Sequence, residues 1–226
     1  MRRLMSIVAA LFFSLTATSV WAQDGASRCG YGEFVEGALD GGAEAYRVTV
    51  PSRSYFRQDG VGCPSAASCQ LKSYVIGKNQ VLVSKVEHGW ACAWYGGAST
   101  DTIGWLRAAD LKKVTRPPPQ TVNWLGTWFV GDDGQITITR DGGGLRVTGD
   151  ARWRGPVSEH SGYFDGVLTV DGVRAVHTEP LGDEPAACVL NFRRIDRYLI
   201  VGDNGRCGGA SVDFTSVYRP VGPGRR

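Results

Sequence analysis

Apolar positions along most of this chain recur at every second residue. Val81 and Val83, followed by Val86, alternate with polar neighbours such as Lys85 and Glu87. Successive side chains of a β-strand point to opposite faces of a sheet, so this period predicts half-buried strands. Gly, Pro, Asn and Asp turns separate the runs, and no helical periodicity extends beyond a turn or two. The pattern predicts an all-β protein.

The first half of the chain contains five strand candidates, within a predicted domain of residues 46–113. They are residues 46–50, 70–76, 80–87, 90–95 and 102–106. Each run is short and ends at a turn residue, which is typical of a small barrel.

The second half, residues 123–220, alternates in the same way. The alternating pairs are Ile136 and Ile138, Leu145 and Val147, and Val212 and Phe214. Short Asp-Gly and Asn-Gly segments between the runs supply hairpin turns. We therefore predict a second antiparallel β-domain, a barrel or a sandwich of about seven or eight strands.

Three further segments complete the predicted organisation. Pro117, Pro118 and Pro119 favour an extended spacer, so residues 114–122 are predicted to link the two domains. Residues 23–45 are rich in glycine and weakly patterned, which predicts an extended lead-in tied down through Cys29. Residues 221–226 are predicted to form a short tail.

The first 22 residues have the features of a secretory signal peptide. Arg2 and Arg3 precede an apolar stretch, residues 4–15, and Ala22 provides a small residue for cleavage before Gln23. That stretch is shorter than the ~20 residues that span a bilayer. We expect a periplasmic or secreted protein with no membrane span in the mature chain.

Charge excludes one class of partner. Without Arg2 and Arg3, the 25 basic residues become 23, against 22 acidic ones, which leaves a net charge of about +1. Proteins that bind nucleic acid through net charge carry a much larger basic excess. We therefore expect no nucleic-acid partner.

The mature chain keeps six cysteines: Cys29, Cys63, Cys69, Cys92, Cys188 and Cys207. An even number in an oxidising compartment predicts disulfide bonds. Cys188 and Cys207 stand apart from the others and flank two apolar runs, so they are expected to staple a hairpin. The other four cysteines allow three pairings. Among these we favour Cys63–Cys69 together with Cys29–Cys92.

Catalytic and metal-binding patterns are absent from the sequence. There is no Cys-x-x-Cys, the histidines His88, His160 and His177 are scattered, and no nucleophile elbow or metal-binding helix motif occurs. Residues 159–161 place Glu, His and Ser together, but adjacent strand residues point apart, so we predict a polar turn. We expect a protein that is not an enzyme and holds no metal or cofactor.

Residues 46–113 resemble a bacterial SH3-like (SH3b) domain. The resemblance depends on Val81-Leu82-Val83, on Gly89-Trp90, and on Gly104-Trp105-Leu106 followed by Leu111. It covers about a third of the mature chain and implies a small β-barrel that attaches to cell-wall peptide or glycan. Residues 63–69 depart from the family pattern, because two cysteines enclose an insertion there.

The start of the second domain is similar to lipocalin- and avidin-like barrels. Gly126-Thr127-Trp128 carries the similarity. In such barrels a Trp plugs one end, which implies that Arg219 stacks on this indole as a cation–π lid.

Aromatic residues supply the candidate ligand site. Trp90 and Trp105 are expected to fill the small barrel of the first domain. Rigid aromatic side chains bind ligands with little loss of entropy. The predicted ligand groove consists of Tyr55, Phe56, Trp94 and Tyr95.

A glycine-rich segment near Cys207 is the second candidate. Asn204, Arg206, Gly208 and Gly209 are predicted to form an interaction loop that the Cys188–Cys207 disulfide holds in place. A purely structural interpretation also stands, in which Asn204-Gly205 is a hairpin turn and the two glycines let the backbone pass the disulfide.

Together these features predict an exported, non-catalytic binding protein of the bacterial envelope. Its SH3-like domain is expected to bind peptidoglycan peptide or glycan, or an envelope protein. The alternative is a secreted or periplasmic inhibitor of a lysozyme or protease that acts through its C-terminal domain. A third interpretation is a structural protein of the envelope stabilised by disulfides.

Overall fold

A computed structural model describes residues 28–97, 100–115, 123–180 and 187–220. The predicted signal peptide, the tail and most of the linker lie outside these residues. Within them, one helix, α1 (Tyr31–Asp40), precedes fifteen strands that form two antiparallel sheets. No helix among the described residues is long and apolar enough to cross a membrane.

Seven strands of the first domain form one sheet in the order β3-β2-β6-β5-β4-β1-β7. They are β1 (Glu44–Val48), β2 (Ser54–Arg57), β3 (Gln70–Val75), β4 (Gln80–Glu87), β5 (Trp90–Gly96), β6 (Asp101–Arg107) and β7 (Leu111–Lys113). The five predicted strands are present, and the pattern missed β2 and β7. Two short 3₁₀ helices, Ala67–Cys69 and Ala108–Asp110, lie in the connections.

Eight strands of the second domain close into a barrel, which confirms the predicted antiparallel β-domain. They are β8 (Gly126–Val130), β9 (Gly134–Asp141), β10 (Gly144–Arg154), β11 (Glu159–Asp171), β12 (Arg174–Glu179), β13 (Cys188–Ile195), β14 (Tyr198–Asp203) and β15 (Ser216–Pro220). Each strand pairs with its neighbour in sequence, and β15 returns to pair with β8. Side chains fill the interior, including Phe164, Phe192, Phe214 and Tyr218.

The predicted extended lead-in is wrong, because residues 31–40 form α1. Phe34, Val35 and Ala38 share one face of this helix and are buried. Gly41 ends the helix with a left-handed φ of 112°, a conformation that glycine adopts without steric cost. The high glycine content hid a short amphipathic helix.

Two predicted turns also differ in the structure. Residues 159–161 begin strand β11, where they pair with the end of β10 as a ribbon. Asn204-Gly205 is not a two-residue hairpin, since residues 204–215 separate β14 from β15. The side-chain oxygens of Asp203 and Asn204 accept hydrogen bonds from the amides of Gly205 and Val189 and so hold this longer connection, which the alternation of apolar residues does not reveal.

Strands β4, β5 and β6 are buried on both faces. One face packs inside the first sheet and includes Val81, Val83, Ala91, Ala93 and Leu106. The other face includes Leu82, Cys92, Trp94 and Trp105 and packs against α1 and the barrel. Period-two alternation therefore separates two apolar faces here, rather than an apolar face from a polar one.

The two domains share a hydrophobic core. Barrel residues Ile195, Tyr198, Ile200 and Val217 pack in the same cluster as α1 and the outer face of the first sheet. The rings of Trp94 and Tyr198 meet edge to face with centroids 5.1 Å apart. This core makes the domains one packed body.

Polar contacts join the same two domains. The Arg219 guanidinium donates from Nη1 to the Gly97 carbonyl at 2.6 Å and lies 3.5 Å from Asp101. The predicted stacking of Arg219 on Trp128 is therefore wrong. Arg194 occupies that place, with its guanidinium carbon 4.7 Å from the centre of the Trp128 ring.

The three disulfides are Cys29–Cys92, Cys63–Cys69 and Cys188–Cys207. The favoured pairings are confirmed. Cys29–Cys92 ties the start of α1 to β5, and Cys188–Cys207 ties β13 to the connection that follows β14.

Candidate functional site

The predicted aromatic groove does not form. Phe56 and Trp94 have no exposed surface, because Phe56 lies in the core of the first sheet and Trp94 in the core that the two domains share. Tyr95 packs at the edge of the first core. Of the four predicted ligand residues, Tyr55 lines an open cleft.

Trp90 and Trp105 also lie elsewhere than predicted. Both side chains are on the face of the first sheet that looks away from its own core. Trp105 is buried and donates its indole N–H to Asp59 at 2.6 Å. Trp90 is half-buried, so part of its ring remains at the surface beside the cleft.

An open cleft of about 180 Å³ lies across strands β2, β3 and β6. We call it the arginine cleft, and its lining residues are Arg53, Ser54, Tyr55, Arg57, Gln70, Arg107 and Asp110. Pairing of Arg57 with Trp105 joins β2 to β6 and brings Arg107 close to Arg57, although 50 residues separate them in the chain.

Arg57 and Arg107 lie against one indole ring. Their guanidinium carbons are 5.1 and 5.5 Å from the centre of the Trp90 ring. Arg57 also donates from Nη1 to the carbonyls of Pro64 and Ala66, at 3.0 and 2.8 Å. The disulfide-closed insertion at residues 63–69 therefore holds this arginine in place.

Arg53 lies beside a pair of tyrosines. Its guanidinium carbon is 4.3 Å from the centre of the Tyr74 ring, and its Nη1 lies 3.5 Å from the Tyr55 hydroxyl. The Tyr55 and Tyr74 rings contact each other with centroids 5.6 Å apart. Interaction with Tyr55 raises the pKa of Arg53, so this side chain stays charged.

The carboxylates near these arginines already have hydrogen-bond donors. Asp110 accepts from the Ser54 hydroxyl at 2.6 Å. Asp59, outside the cleft, accepts from Trp105 and from the Cys29 amide. Three guanidinium groups and one carboxylate thus line the arginine cleft, which gives it a local positive excess.

The second candidate is the connection between β14 and β15, and we call residues 204–212 the end loop. Asn204 and Arg206 are exposed, as is Gly209, whereas Gly208 packs against the backbone of Gly162. The Asn204 side chain also ties the loop to the start of β13, because it donates to the Ala187 carbonyl and accepts from the Val189 amide.

The end loop lies beside the ribbon formed by the ends of β10 and β11. His160 is hydrogen-bonded through Nδ1 to the Ala210 carbonyl at 2.8 Å, and its ring lies 5.3 Å from that of Trp153. Glu159, His160 and Ser161 alternate along β11, so the three do not converge on one point. In the described residues, no cluster of His, Cys, Asp or Glu has the arrangement of a metal site.

The three arginines of the cleft, Arg53, Arg57 and Arg107, were not predicted as site residues from the sequence. Arg53, Tyr55 and Arg57 are spaced by two, which places all three on one face of a strand. The pairing of β2 with β6 that adds Arg107 is a long-range contact with no local signal.

Comparisons with protein-family models, with curated proteins and with solved structures find no match to this chain. The function is therefore inferred from the chemistry of the arginine cleft.

Proposed function

We propose that this chain is an exported, non-catalytic binding protein of the bacterial envelope, and that the arginine cleft binds cell-wall peptide. The main support for this proposal is that three arginines and a tyrosine line one open cleft, which three paired strands hold in place. Aromatic rings and guanidinium groups are common anchors at binding surfaces. Aromatic rings give large contact area with few rotatable bonds, and a planar guanidinium holds a carboxylate through two parallel hydrogen bonds.

Two features support the location in the envelope. The three disulfides suit an oxidising compartment outside the cytoplasm. The sequence of residues 1–22 has the charged start, apolar stretch and small cleavage residues of a signal peptide. The resemblance of residues 46–113 to SH3b domains adds the cell wall as the expected target.

Co-sedimentation of the oxidised mature protein with purified peptidoglycan sacculi tests this proposal. Replacing both Arg53 and Arg107 by alanine should lower retention about tenfold, since each arginine contributes charge-assisted hydrogen bonds. The matched control replaces the exposed barrel arginines Arg140 and Arg152 by alanine, which removes the same charge. Equal retention of both double variants would exclude the cleft as the wall-binding site.

A second candidate function is inhibition of a lysozyme or protease through the end loop. The observation in its favour is that the loop is fixed by Cys188–Cys207 and contacts the ribbon of β10 and β11 through His160. The exposed apolar side chains of that ribbon and its turn include Trp153 and Val157. A loop that is ordered before binding loses less entropy on association. Under this alternative, the protein slows a lysozyme on a cell-wall substrate and Arg206→Ala weakens that effect; an unchanged rate at saturating protein counts against it.

A further inference from the structure

We propose that the arginine cleft recognises a short acidic peptide that carries at least two carboxylates and one free amine. This inference rests on the proposed function and specifies the chemistry of its ligand. It follows from the charges in the cleft, from the hydrogen bonds that fix two of them, and from the adjacent tyrosine pair.

The carboxylates of the ligand match the guanidinium groups. Arg53 and Arg107 are both exposed at the cleft, and a planar guanidinium can hold a carboxylate through two parallel hydrogen bonds. Arg57 donates to the carbonyls of residues 64–66 through Nη1, so these bonds do not use its Nε and Nη2 donors. Three cationic groups on one wall favour a ligand with more than one negative group.

The free amine matches Asp110. This carboxylate lines the same cleft and is oriented by the buried hydroxyl of Ser54. An ammonium group would be attracted to Asp110, whereas a polymer whose only charged groups are phosphates would be repelled by it. The mixed charges of the cleft therefore favour a zwitterionic peptide over a phosphate polymer.

Tyr55 and Tyr74 supply the remaining contact. Their rings touch, and Arg53 lies over Tyr74, so both rings are held beside the charged groups. Tyr74 remains exposed at the surface. Such a pair offers apolar surface to the methyl and methylene groups between the charges of a peptide.

The insertion at residues 63–69 has a role in this recognition. Its carbonyls hold the Arg57 guanidinium, and the Cys63–Cys69 disulfide closes the segment that carries them. A side chain ordered before binding costs less entropy when the ligand arrives. Replacing both cysteines by serine should weaken binding a few-fold.

Isothermal titration calorimetry of the oxidised mature protein tests the inference. The probe is the tripeptide N-acetyl-alanyl-γ-glutamyl-diaminopimelate, whose one free amine is on the diaminopimelate side chain. It is compared with the form whose carboxylates are carboxamides, with the form acetylated on that amine, and with inorganic phosphate. Amidation and acetylation should each lower affinity about tenfold. Asp110→Asn should remove the penalty for acetylation while the penalty for amidation remains, and Tyr163→Ala on the barrel exterior serves as a folded control.

The outcomes separate this inference from the proposed function. If sacculi bind through the arginines but the tripeptide does not, or if its carboxamide form or phosphate binds equally well, the inference is overturned and the wall-binding function stands. If neither sacculi nor tripeptide binds, both fail. Tripeptide binding that requires Arg53, Arg107 and Asp110 supports both.

Discussion

Trp94 shows how a single side chain can mislead an interpretation based on composition. It stands in an aromatic-rich stretch beside Trp90 and Tyr95, a pattern typical of an exposed ligand groove. In the structure it is fully buried between the first sheet and Tyr198 of the barrel. The alternation along β5 shows which residues share its face, but not that α1 and the barrel cover that face.

Replacing Trp94 by alanine should therefore affect stability and not ligand contact. We expect the free energy of unfolding to fall by about 3–5 kcal/mol, the usual cost of emptying a buried aromatic site. Urea unfolding followed by circular dichroism measures this. Trp153→Ala, at a ring that is 37% exposed, is the matched control and should cost much less. Equal losses for the two variants would contradict the burial of Trp94.

Among the elements, predictability follows the strength of local alternation. The bounds of β4, residues 80–87, were predicted correctly, because its apolar residues are regular and turn residues flank it. Strands β2 and β7 were missed, because both are short and are held mainly by pairing with neighbouring strands. For the candidate site, the same limit applies: Tyr55 was named, but Arg107 joins it through strand pairing alone.

The three disulfides should differ in their effect on stability. A disulfide restricts the unfolded chain more when it closes a longer loop. The sequence separations are 63 for Cys29–Cys92, 19 for Cys188–Cys207 and 6 for Cys63–Cys69. Replacing each pair by serine should lower the free energy of unfolding by about 4, 3 and 2 kcal/mol respectively.

Denaturant titration of the three double-serine variants under one set of conditions checks this order. Cys63–Cys69 is the informative case, because its loss should weaken ligand binding although it costs the least stability. A larger loss of stability for Cys63–Cys69 than for Cys29–Cys92 would refute the loop-length explanation.

At the scale of the whole molecule, the main result is that the two domains share a core. The proline-rich sequence of the linker predicts a spacer between two domains, but it does not show whether they pack together, because it carries no information about the apolar face of β14. Ile200 and Val217 lie on the outside of the barrel wall, at the core shared with α1, and are fully buried. Their alternation with barrel-core residues was visible in the sequence; their partner was not.

We predict that Asp101 makes this contact between the domains sensitive to pH. Burial raises the pKa of Asp101, although the charge of Arg219 opposes the shift. A folded-state pKa above the unfolded value means that the folded protein binds the proton more tightly, so the contribution of Asp101 to stability falls as pH rises from about 4. Compared with Asp101→Asn, the wild-type protein should lose relative stability over that range in urea titrations. A wild-type free energy of unfolding that rises with pH relative to that of Asp101→Asn would contradict this assignment.

NMR chemical-shift mapping of the oxidised mature protein with soluble cell-wall peptides shows whether the arginine cleft is the binding surface. We predict shifts at the amides of residues 53–57, at Arg107 and at the Trp90 indole N–H, with the end loop unchanged. Shifts confined to residues 204–212 and Trp153 would contradict it and place the binding surface on the barrel.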